Sequence, residues 1–252
     1  MSDTVVQLWR HPVKSLQGHR QAALTVRSEG VAGDRSWGLL DRATGKLASA
    51  KRFGRMLEAT GHDDHLLLPD GRKVTFADPD RDDVLSAWLG REVELIAAPE
   101  QGSLSYQMTF DPPNDDAELV DIPTPAGTLL DLAAIHLLTT ATLEHCAAAR
   151  PDLDWDVRRF RPNVVIDVDA PPFAEDGWTG RRLGVGGAVL TVLMPTVRCA
   201  MPLRAQPGGL ERQAALFTAL SELNTVNPNH FGVYVQVLTP GTVAEGDAVT
   251  LD

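Results

Sequence analysis

Cysteine, the most reactive side-chain type in this chain, occurs only twice. The segment PTVRCAMP, residues 195–202, places Cys199 directly after Arg198 at the end of a strongly apolar stretch. A neighbouring cation favours the thiolate, which is both a nucleophile and a ligand for soft metals. From these residues alone, Cys199 is either a structural thiol or a reactive one. Cys146 lies on the apolar face of a predicted helix, three residues after Leu143, and is predicted to be a small buried hydrophobic residue.

The segment HPVKS, residues 11–15, follows the first predicted strand. Proline fixes the backbone there, so Lys14 and Ser15 present an ammonium and a hydroxyl group from a rigid loop. Such a pair can hold a phosphate or another anion. The alternative is an ordinary solvent-exposed loop lysine, and this segment by itself does not decide between the two.

Two further segments place arginines at strand boundaries. In GVAGDR, residues 30–35, the glycines indicate a tight turn that leads Arg35 into the following strand. In RRFRPN, residues 158–163, the proline ends any helix, and Arg161 and Asn163 open the next strand. The planar guanidinium group suits two-point binding of phosphate. Surface arginines paired with the many carboxylates are the alternative.

The overall charge limits the partners. The chain has 252 residues and a formal net charge of −11. General nucleic-acid binding is excluded because a phosphate backbone would be repelled, although a local basic pocket can still hold a small anion. The length fits one large domain or two modest ones. Nucleotide-binding and α/β-hydrolase folds have no local support, since no GxGxxG opens a helix and no GxxxxGK[ST] or GxSxG occurs.

Targeting signals and cysteine content narrow the setting. No apolar run approaches the roughly 20 residues that cross a bilayer, and charge precedes any apolar core of a signal peptide. We therefore expect a cytoplasmic protein without membrane contact. In a reducing compartment the cysteines are expected to be free thiols. Two cysteines also exclude a self-contained iron–sulfur cluster, which normally needs four ligands.

Short strands are expected to position the candidate residues. Glycine and proline, 21 and 17 in number, punctuate short apolar runs and favour strands and tight turns over a helical bundle. In the first hundred residues we predict a helix over 81–89, ended by Gly90. The strands predicted there span 5–9, 37–40, 46–50, 65–68, 73–76 and 92–97.

An acidic, proline-containing stretch over 98–125 is predicted to be too polar for a core and to connect two domains. Beyond it we predict helices over 140–149 and 210–223. The strands predicted there span 128–132, 135–138, 163–168, 182–185, 188–194, 231–238 and 248–251. The segment PGTVAEGD between the last two strands is interpreted as a turn.

Five segments in a fixed order carry a resemblance to a known family. They are HPVKSL, GDR, RFRPNVVI, PFAEDGW and the pair RC after a strand, and FGVYVQVLTPGTVAEGDAVTL matches the family's usual closing strands. In this order they resemble the molybdenum-cofactor sulfurase C-terminal, or MOSC, domain family over nearly the whole chain. The closer likeness is to two-part members, in which an N-terminal β-barrel domain precedes the MOSC domain.

The resemblance implies a mainly β fold with a few helices (α+β). It consists of an N-terminal β-barrel-like domain over 1–98, a connector over 99–125 and a β-barrel MOSC domain over 126–252. It also implies that the chain binds the molybdenum cofactor, Mo-molybdopterin, with Cys199 as metal ligand and catalytic residue. Asp131 matches an acidic position of some relatives and is the second implied catalytic residue. The residues implied to bind the pterin or lie beside it are Lys14, Ser15, Arg35, Arg161, Asn163 and Arg198.

The implied activity is reduction of a small N-hydroxylated or related N–O or S–O compound by a molybdenum-dependent oxidoreductase. Because the chain shows no iron–sulfur or flavin fingerprint, we expect electrons from a separate protein of the ferredoxin, flavoprotein or cytochrome type. Pyridoxal phosphate is not expected on this chain. Two alternatives stay open: a sulfurtransferase that carries a persulfide on Cys199, and a molybdenum-cofactor carrier without catalytic activity.

Overall fold

The structure, a computed structural model, describes residues 3–252; Met1 and Ser2, at the start of the predicted first domain, lie outside the described residues. Within that range the chain forms three α-helices: α1 (Arg81–Leu89), α2 (Thr140–Ala149) and α3 (Ala215–Leu223). No helix in the described part of the chain is long and apolar enough to cross a membrane.

Short strands make up most of the regular structure, which confirms the predicted mainly β class. The strands of the first hundred residues are β1 (Thr4–Arg10), β2 (His19–Gln21), β3 (Ala23–Arg27), β4 (Gly30–Val31), β5 (Trp37–Asp41), β6 (Lys46–Leu47), β7 (Thr60–Gly61), β8 (His65–Leu67), β9 (Lys73–Thr75) and β10 (Val93–Ala97). The later strands are β11 (Ser105–Met108), β12 (Val120–Pro123), β13 (Ile135–Thr139), β14 (Val164–Asp167), β15 (Arg182–Val185), β16 (Ala188–Val197), β17 (His230–Thr239), β18 (Gly241–Ala244) and β19 (Val249–Leu251).

The strands of residues 3–252 form four sheets. The largest has eight strands in the order β19-β15-β16-β17-β13-β14-β1-β2, and the second has five in the order β10-β5-β6-β11-β12. The two three-stranded sheets are β18-β3-β4 and β7-β8-β9. Each order ends in two edge strands, so these pairings leave the sheets open and do not close them into barrels.

Strand pairing crosses the predicted domain boundaries. β1 pairs antiparallel with β14, so the start of the chain belongs to the large sheet of the C-terminal half. Near the other end, β18 pairs antiparallel with β3. The interpretation of PGTVAEGD as a turn alone is therefore wrong, because Val243 is buried next to exposed Thr242, an alternation typical of a strand. The division into 1–98, 99–125 and 126–252 stays a prediction.

The acidic stretch over 98–125 contributes to a core, contrary to the prediction. It contains the antiparallel hairpin of β11 and β12. Tyr106 of β11 is 1% exposed and packs with Leu47 and Leu129. The acidic residues of the stretch lie at exposed positions. Alternate residues of a strand face opposite sides, so a polar stretch can still bury one face.

The helix predictions are confirmed for α1 and α2, whose bounds match, and Gly90 ends α1 with φ 71°. Two other predictions are wrong. No strand forms over 128–132, and α3 begins at Ala215, not at residue 210. Gly208 and Gly209 both have positive φ, and Gln206 forms a β-bridge with Leu210, so the residues before α3 adopt a non-helical conformation.

Separate clusters of buried apolar side chains hold these elements together. The large sheet has its own cluster, which includes Leu8 and Val235. In another cluster, Leu85 of α1 packs against the strands of the first hundred residues. A further cluster joins α2 and α3 through Cys146 and Leu216. Cys146 is therefore a buried core residue, as predicted.

Gly232 occupies a position in β17 that only glycine fits without rearrangement. Its φ is 74°, in the left-handed region. A Cβ atom there would lie 2.3 Å from Cδ2 of Leu138 and 2.5 Å from the carbonyl oxygen of Leu137. Both residues belong to β13, the neighbouring strand in the large sheet. A side chain at position 232 would therefore push β17 and β13 apart.

Gly232→Ala is expected to lower the free energy of unfolding by about 2–4 kcal/mol, because it adds steric overlap to a strained backbone conformation. Gly90→Ala is the matched control, since Gly90 also has positive φ but nothing lies within 4 Å of its Cβ position. The control should lose about 1 kcal/mol. Urea denaturation measures both values, and equal losses would show that the contacts with β13 carry no cost.

Glu175 is fully buried in the 3-10 helix Ala174–Trp178. It accepts hydrogen bonds from the hydroxyl groups of Thr139 at 3.1 Å and Thr142 at 2.9 Å, at the start of α2. Burial raises the pKa of the Glu175 carboxyl to about 7, although these hydroxyl donors oppose the shift. This carboxyl therefore changes its charge near neutral pH in the folded chain.

Because the pKa of Glu175 is higher in the folded than in the unfolded chain, its stabilising contribution is complete below its ordinary pKa of 4.5 and is lost as the pH rises through about 7. The wild-type free energy of unfolding should therefore fall by about 2–3 kcal/mol more between pH 5 and pH 8 than that of Glu175→Gln. Urea denaturation across this range measures the difference. Parallel pH profiles would contradict the assignment.

Candidate functional site

A cleft lies beyond the carboxyl end of β16, and Cys199 lines it. Cys199 is a half-buried free thiol two residues after the strand. The preceding backbone N–H, of Arg198, donates to the carbonyl oxygen of Asn229 at 2.8 Å and fixes this segment. All eight residues that the sequence indicates line the same cleft: Lys14, Ser15, Arg35, Asp131, Arg161, Asn163, Arg198 and Cys199.

Lys14 is a buried lysine, which excludes the alternative of an ordinary surface loop residue. Its side chain is 5% exposed. Its backbone N–H donates to the carbonyl oxygen of Trp37 at 2.7 Å, which joins the loop after β1 to the start of β5. Its Nζ donates to the carbonyl oxygen of Leu129 at 2.6 Å and to Oδ1 of Asp131 at 2.5 Å. The ammonium group is therefore held in a fixed position.

Asp131 lies between two ammonium groups. Its Oδ1 accepts from Lys14 and its Oδ2 accepts from Nζ of Lys51 at 2.6 Å. Burial alone would raise the pKa of Asp131, but the two ammonium groups outweigh burial and hold that pKa well below its usual range. Burial lowers the pKa of Lys14 to about 8; Asp131 opposes this shift and the Lys51 ammonium adds to it. Asp131 is therefore ionised at neutral pH.

Lys51 is a site residue that the sequence reasoning missed. Its side chain is 4% exposed, and its Nζ lies 3.8 Å from the centroid of the Tyr106 ring. The Nζ of Lys14 lies 4.7 Å from the same centroid, so the Tyr106 ring helps to stabilise both ammonium groups. Lys51 lies in the turn after β6 and is followed by Arg52. Nothing in the local sequence distinguishes Lys51 from Arg52 as a site residue. Its partner Asp131 is 80 residues further along the chain.

Arg35 lines the cleft and follows the turn of GVAGDR. Its φ is 47°, and its Nη1 contacts the carboxylate of Asp34. Its Nη2 donates to the carbonyl oxygen of Arg161 at 3.4 Å. The Arg35 side chain is 16% exposed and that of Asp34 only 2%. Arg35 is therefore paired with a carboxylate, as in the surface-arginine alternative, but the Arg35 side chain lines the cleft and does not lie on the outer surface.

Arg161 is buried, with φ 55°. Its Nη1 donates to the carbonyl oxygen of Leu16 at 2.6 Å, whereas its Nη2 has no hydrogen-bond partner among the described residues. Burial, followed by the repulsion from the Arg35 guanidinium, lowers the pKa of Arg161 to about 9. Arg161 therefore offers a donor that a bound acceptor can use.

Arg198 is fixed by a carbonyl oxygen and lies against the His136 imidazole. Its Nη2 donates to the carbonyl oxygen of Phe160 at 2.8 Å, and its Nη1 lies 3.4 Å from Nε2 of His136. Burial and then the nearby Arg198 guanidinium hold the pKa of His136 well below its usual value. The same Nε2 lies 3.2 Å from the carbonyl oxygen of Phe231, so it either donates to that oxygen or accepts from Arg198. The Nε of Arg198 is buried without a partner in the described part of the chain.

Asn163 lines the cleft, but its side-chain amide forms hydrogen bonds to backbone groups of the protein itself. Its Oδ1 accepts from the backbone N–H of His136 at 3.2 Å and lies 3.5 Å from Nη1 of Arg35. Its Nδ2 donates to the carbonyl oxygen of Trp9 at 3.4 Å. The side chain therefore joins β1, β13 and the start of β14 behind the arginines.

Strained backbone and unpartnered donors coincide in this cleft. Ser15, Arg35 and Arg161 are non-glycine residues with φ of 67°, 47° and 55°, a conformation that costs about 1–3 kcal/mol each. Three buried atoms of the cleft lining have no hydrogen-bond partner in residues 3–252: Ser15 Oγ, Arg161 Nη2 and Arg198 Nε. Such strain and such unused donors are typical of ligand-binding sites. The donors suit a ligand rich in hydrogen-bond acceptors.

The cleft is cationic although the chain is acidic, with a net charge of −11. Two carboxylates, those of Asp34 and Asp131, pair with cations at the cleft. The cations around it are Lys14, Lys51, Arg35, Arg161 and Arg198. Like charges gathered in a low-dielectric site are costly unless an opposite charge binds there. The arrangement therefore favours an anionic ligand.

Two family models match the chain. The MOSC N-terminal beta barrel domain matches residues 2–110, and the MOSC domain matches residues 126–250. Human mitochondrial amidoxime-reducing component 1 is 24% identical over 292 residues, which covers 98% of this chain and 82% of the human protein.

Solved structures show a weak likeness. The YuaD protein from Bacillus subtilis has a TM-score of 0.47 at 10% identity and covers 100% of this chain and 96% of its own. YiiM from Geobacillus stearothermophilus has a TM-score of 0.37 at 16% identity, with 61% of this chain and 73% of its own covered.

Asp131→Asn leaves two buried ammonium groups without their carboxylate, and we expect the free energy of unfolding at pH 7 to fall by about 1–3 kcal/mol. Adding Lys51→Met should restore part of the loss, because it removes one unpaired buried charge. The pKa of Asp131 is lower in the folded than in the unfolded chain, so its contribution is present above about pH 4 and is lost as the pH falls further.

Urea denaturation of wild type and Asp131→Asn at pH 7 and pH 3 tests this. The difference in the free energy of unfolding should narrow at pH 3. A difference of equal size at both pH values would show that the charge of Asp131 does not stabilise the fold.

Proposed function

Because this chain belongs to the MOSC domain family, we propose that it binds the molybdenum cofactor in the cleft, with Cys199 as the protein ligand of the metal. Family membership and the match to an amidoxime-reducing protein support a function associated with that cofactor. The observation that carries the proposal is the convergence of a half-buried thiol and unpartnered buried donors on one cationic cleft.

The free donors of the cleft fit the phosphate and polar edges of a pterin. Ser15 Oγ and Arg161 Nη2 have unused hydrogen-bonding capacity, and Arg35 is partly exposed to the cleft. Lys14 has one N–H left after it donates to Leu129 and Asp131. Its main contribution is a fixed positive charge close to the bound anion. Asn163 would act indirectly, by holding Arg35 in place.

Cys199 and Arg198 would form the metal side of the site. Thiolate sulfur is a soft ligand, which suits a metal that the pterin also holds through sulfur. The Arg198 guanidinium is fixed by the carbonyl oxygen of Phe160 and places a positive charge on the residue next to Cys199. The residues present therefore fit the cofactor.

When bound, the cofactor supplies two-electron redox chemistry. We propose the reduction of N-hydroxylated or related N–O or S–O compounds, in which the oxygen leaves as water after uptake of two electrons and two protons. Asp131 lines the cleft in its ionised form and can accept a hydrogen bond from the N–OH group of a substrate. Lys14 and Lys51 fix the orientation of its carboxylate.

The electrons would come from a separate protein of the ferredoxin, flavoprotein or cytochrome type. The chain has two cysteines, and Cys146 is buried in the core, so this chain cannot supply the four thiolates of an iron–sulfur cluster. The alternatives use the same cleft. A sulfurtransferase would carry a persulfide on Cys199, and a carrier would hold the cofactor without turnover.

Metal and pterin analysis of protein purified from a host that makes the cofactor tests the proposal. We expect molybdenum and pterin in equal amounts in the wild type, and a lower molybdenum content in Cys199→Ala. Cys146→Ala is the matched control, because Cys146 lies in the core and does not line the cleft. With a reduced viologen dye as electron source, benzamidoxime reduction should fall at least about 100-fold in Cys199→Ala and persist in Cys146→Ala.

Wild-type protein without molybdenum and pterin would contradict the proposal. A mass gain of one sulfur atom on Cys199, without metal, would favour the sulfurtransferase. Bound cofactor without reduction of any N–O or S–O compound would favour the carrier.

A further inference from the structure

A second concavity, which we call the apolar groove, adjoins the cleft. Its apolar lining includes Met108, Phe110, Ile122, Leu132, Val197 and Phe217. The polar residues that line both the groove and the cleft are Asp131, Arg198, Cys199 and Tyr234. The groove therefore opens directly onto the thiol and the carboxylate of the site.

We propose that the apolar groove binds the uncharged apolar part of the substrate, an aromatic ring above all, while the group to be reduced faces Cys199. This inference rests on the proposed reductase function and adds a substrate class to it. The preferred substrates are uncharged N–O or S–O compounds with an aromatic or bulky aliphatic body, in contrast to small polar ones.

The exposure of the groove lining supports this assignment. Phe110 is 74% exposed, Val197 51% and Leu132 48%. Single exposed apolar side chains are common on protein surfaces, but several around one concavity are typical of a ligand site. The hydrophobic effect disfavours their contact with water, and an apolar ligand relieves it.

The wall that carries Phe110 is held in place by ion pairs. Asp115, in the loop between β11 and β12, accepts from Nη1 of Arg204 at 2.6 Å and from Nη2 of Arg212 at 2.9 Å. Arg212 also donates to the carbonyl oxygen of Pro113 at 3.2 Å. Both arginines follow Cys199 in the chain, so the loop is tied to the segment beside the thiol. A wall fixed before binding loses less entropy when a ligand enters.

The charged side chains Lys51, Asp131 and Arg198 that line the groove already make hydrogen bonds within the protein. Lys51 pairs with Asp131 at 2.6 Å, and Arg198 donates to the carbonyl oxygen of Phe160 at 2.8 Å. A charged substituent would lose its hydration against Phe110 and the other apolar walls. Apart from Arg198, which lies where the groove meets the cleft, it would find no opposite charge without an ionic partner among the described residues that line the groove. The groove therefore selects an uncharged body.

Benzamidoxime and acetamidoxime make a matched pair of probes, because they share the reducible amidoxime and differ by a phenyl ring in place of a methyl group. The wild type should have the higher kcat/KM for benzamidoxime. Phe110→Ala should lower that value by about 5- to 30-fold, mainly through KM, and should change acetamidoxime reduction by less than about 2-fold. Phe110→Leu, which keeps an apolar side chain, should retain most of the preference.

Val226→Ala is the control variant, since Val226 is an apolar side chain with 84% exposure outside the groove lining. It should leave both substrates unaffected. Isothermal titration of benzamidoxime into wild type and Phe110→Ala, without an electron source, adds a readout that needs no turnover. The dissociation constant should rise by about 5- to 30-fold in Phe110→Ala, because the variant buries less apolar area against the ligand.

The outcomes separate the two proposals. If both amidoximes are reduced but Phe110→Ala leaves their kcat/KM ratio and the binding of benzamidoxime unchanged, the groove assignment is overturned and the reductase function stands. If neither is reduced but benzamidoxime binds in a Phe110-dependent way, the reductase function is overturned and the groove assignment stands.

Discussion

The carboxylate of Asp131 between the ammonium groups of Lys14 and Lys51 is the interaction on which the site depends. It joins the loop after β1, the turn after β6 and the segment before β13, which are far apart in the sequence. Two buried ammonium groups would repel one another without it, since little water screens them. The Tyr106 ring helps to stabilise both cations. The position of Lys14 in the cleft follows from this cluster.

The other half of the cleft follows from a different constraint, an excess of guanidinium groups. Arg35 has Asp34 as partner, but Arg161 and Arg198 rely on carbonyl oxygens and keep unused donors. Asn163 braces this group from behind. An acidic protein that gathers cations in one strained pocket loses stability there unless an anion binds. The proposed phosphate-bearing pterin would supply that charge.

Local patterns predicted local structure well. Gly90 ends α1, the bounds of α2 match, and the hairpin strands around 186–187 form as expected. The order of short segments also selected eight residues that line one cleft. Family resemblance was necessary for that selection, because an isolated HPVKS or GDR segment is compatible with an ordinary surface loop.

Long-range pairing was the part that the sequence did not reveal. The polar composition of 98–125 gave no indication that Tyr106 is buried, because its burial depends on Leu47 and Leu129 from elsewhere in the chain. Lys51 resembles any surface lysine until Asp131 is placed beside it. The pairing of β18 with β3 was missed because proline and glycine in PGTVAEGD favour a turn locally, whereas the partner strand is about 200 residues earlier.

The central claim, that Cys199 binds molybdenum, is tested most directly by X-ray absorption at the molybdenum edge. Wild-type protein and Cys199→Ser, both loaded with the cofactor, would be compared for the number of sulfur atoms bound to the metal. We expect the variant to show one sulfur ligand fewer, with a serine oxygen or no protein atom in its place. An unchanged number of sulfur ligands in Cys199→Ser would contradict the assignment of Cys199 as the metal ligand.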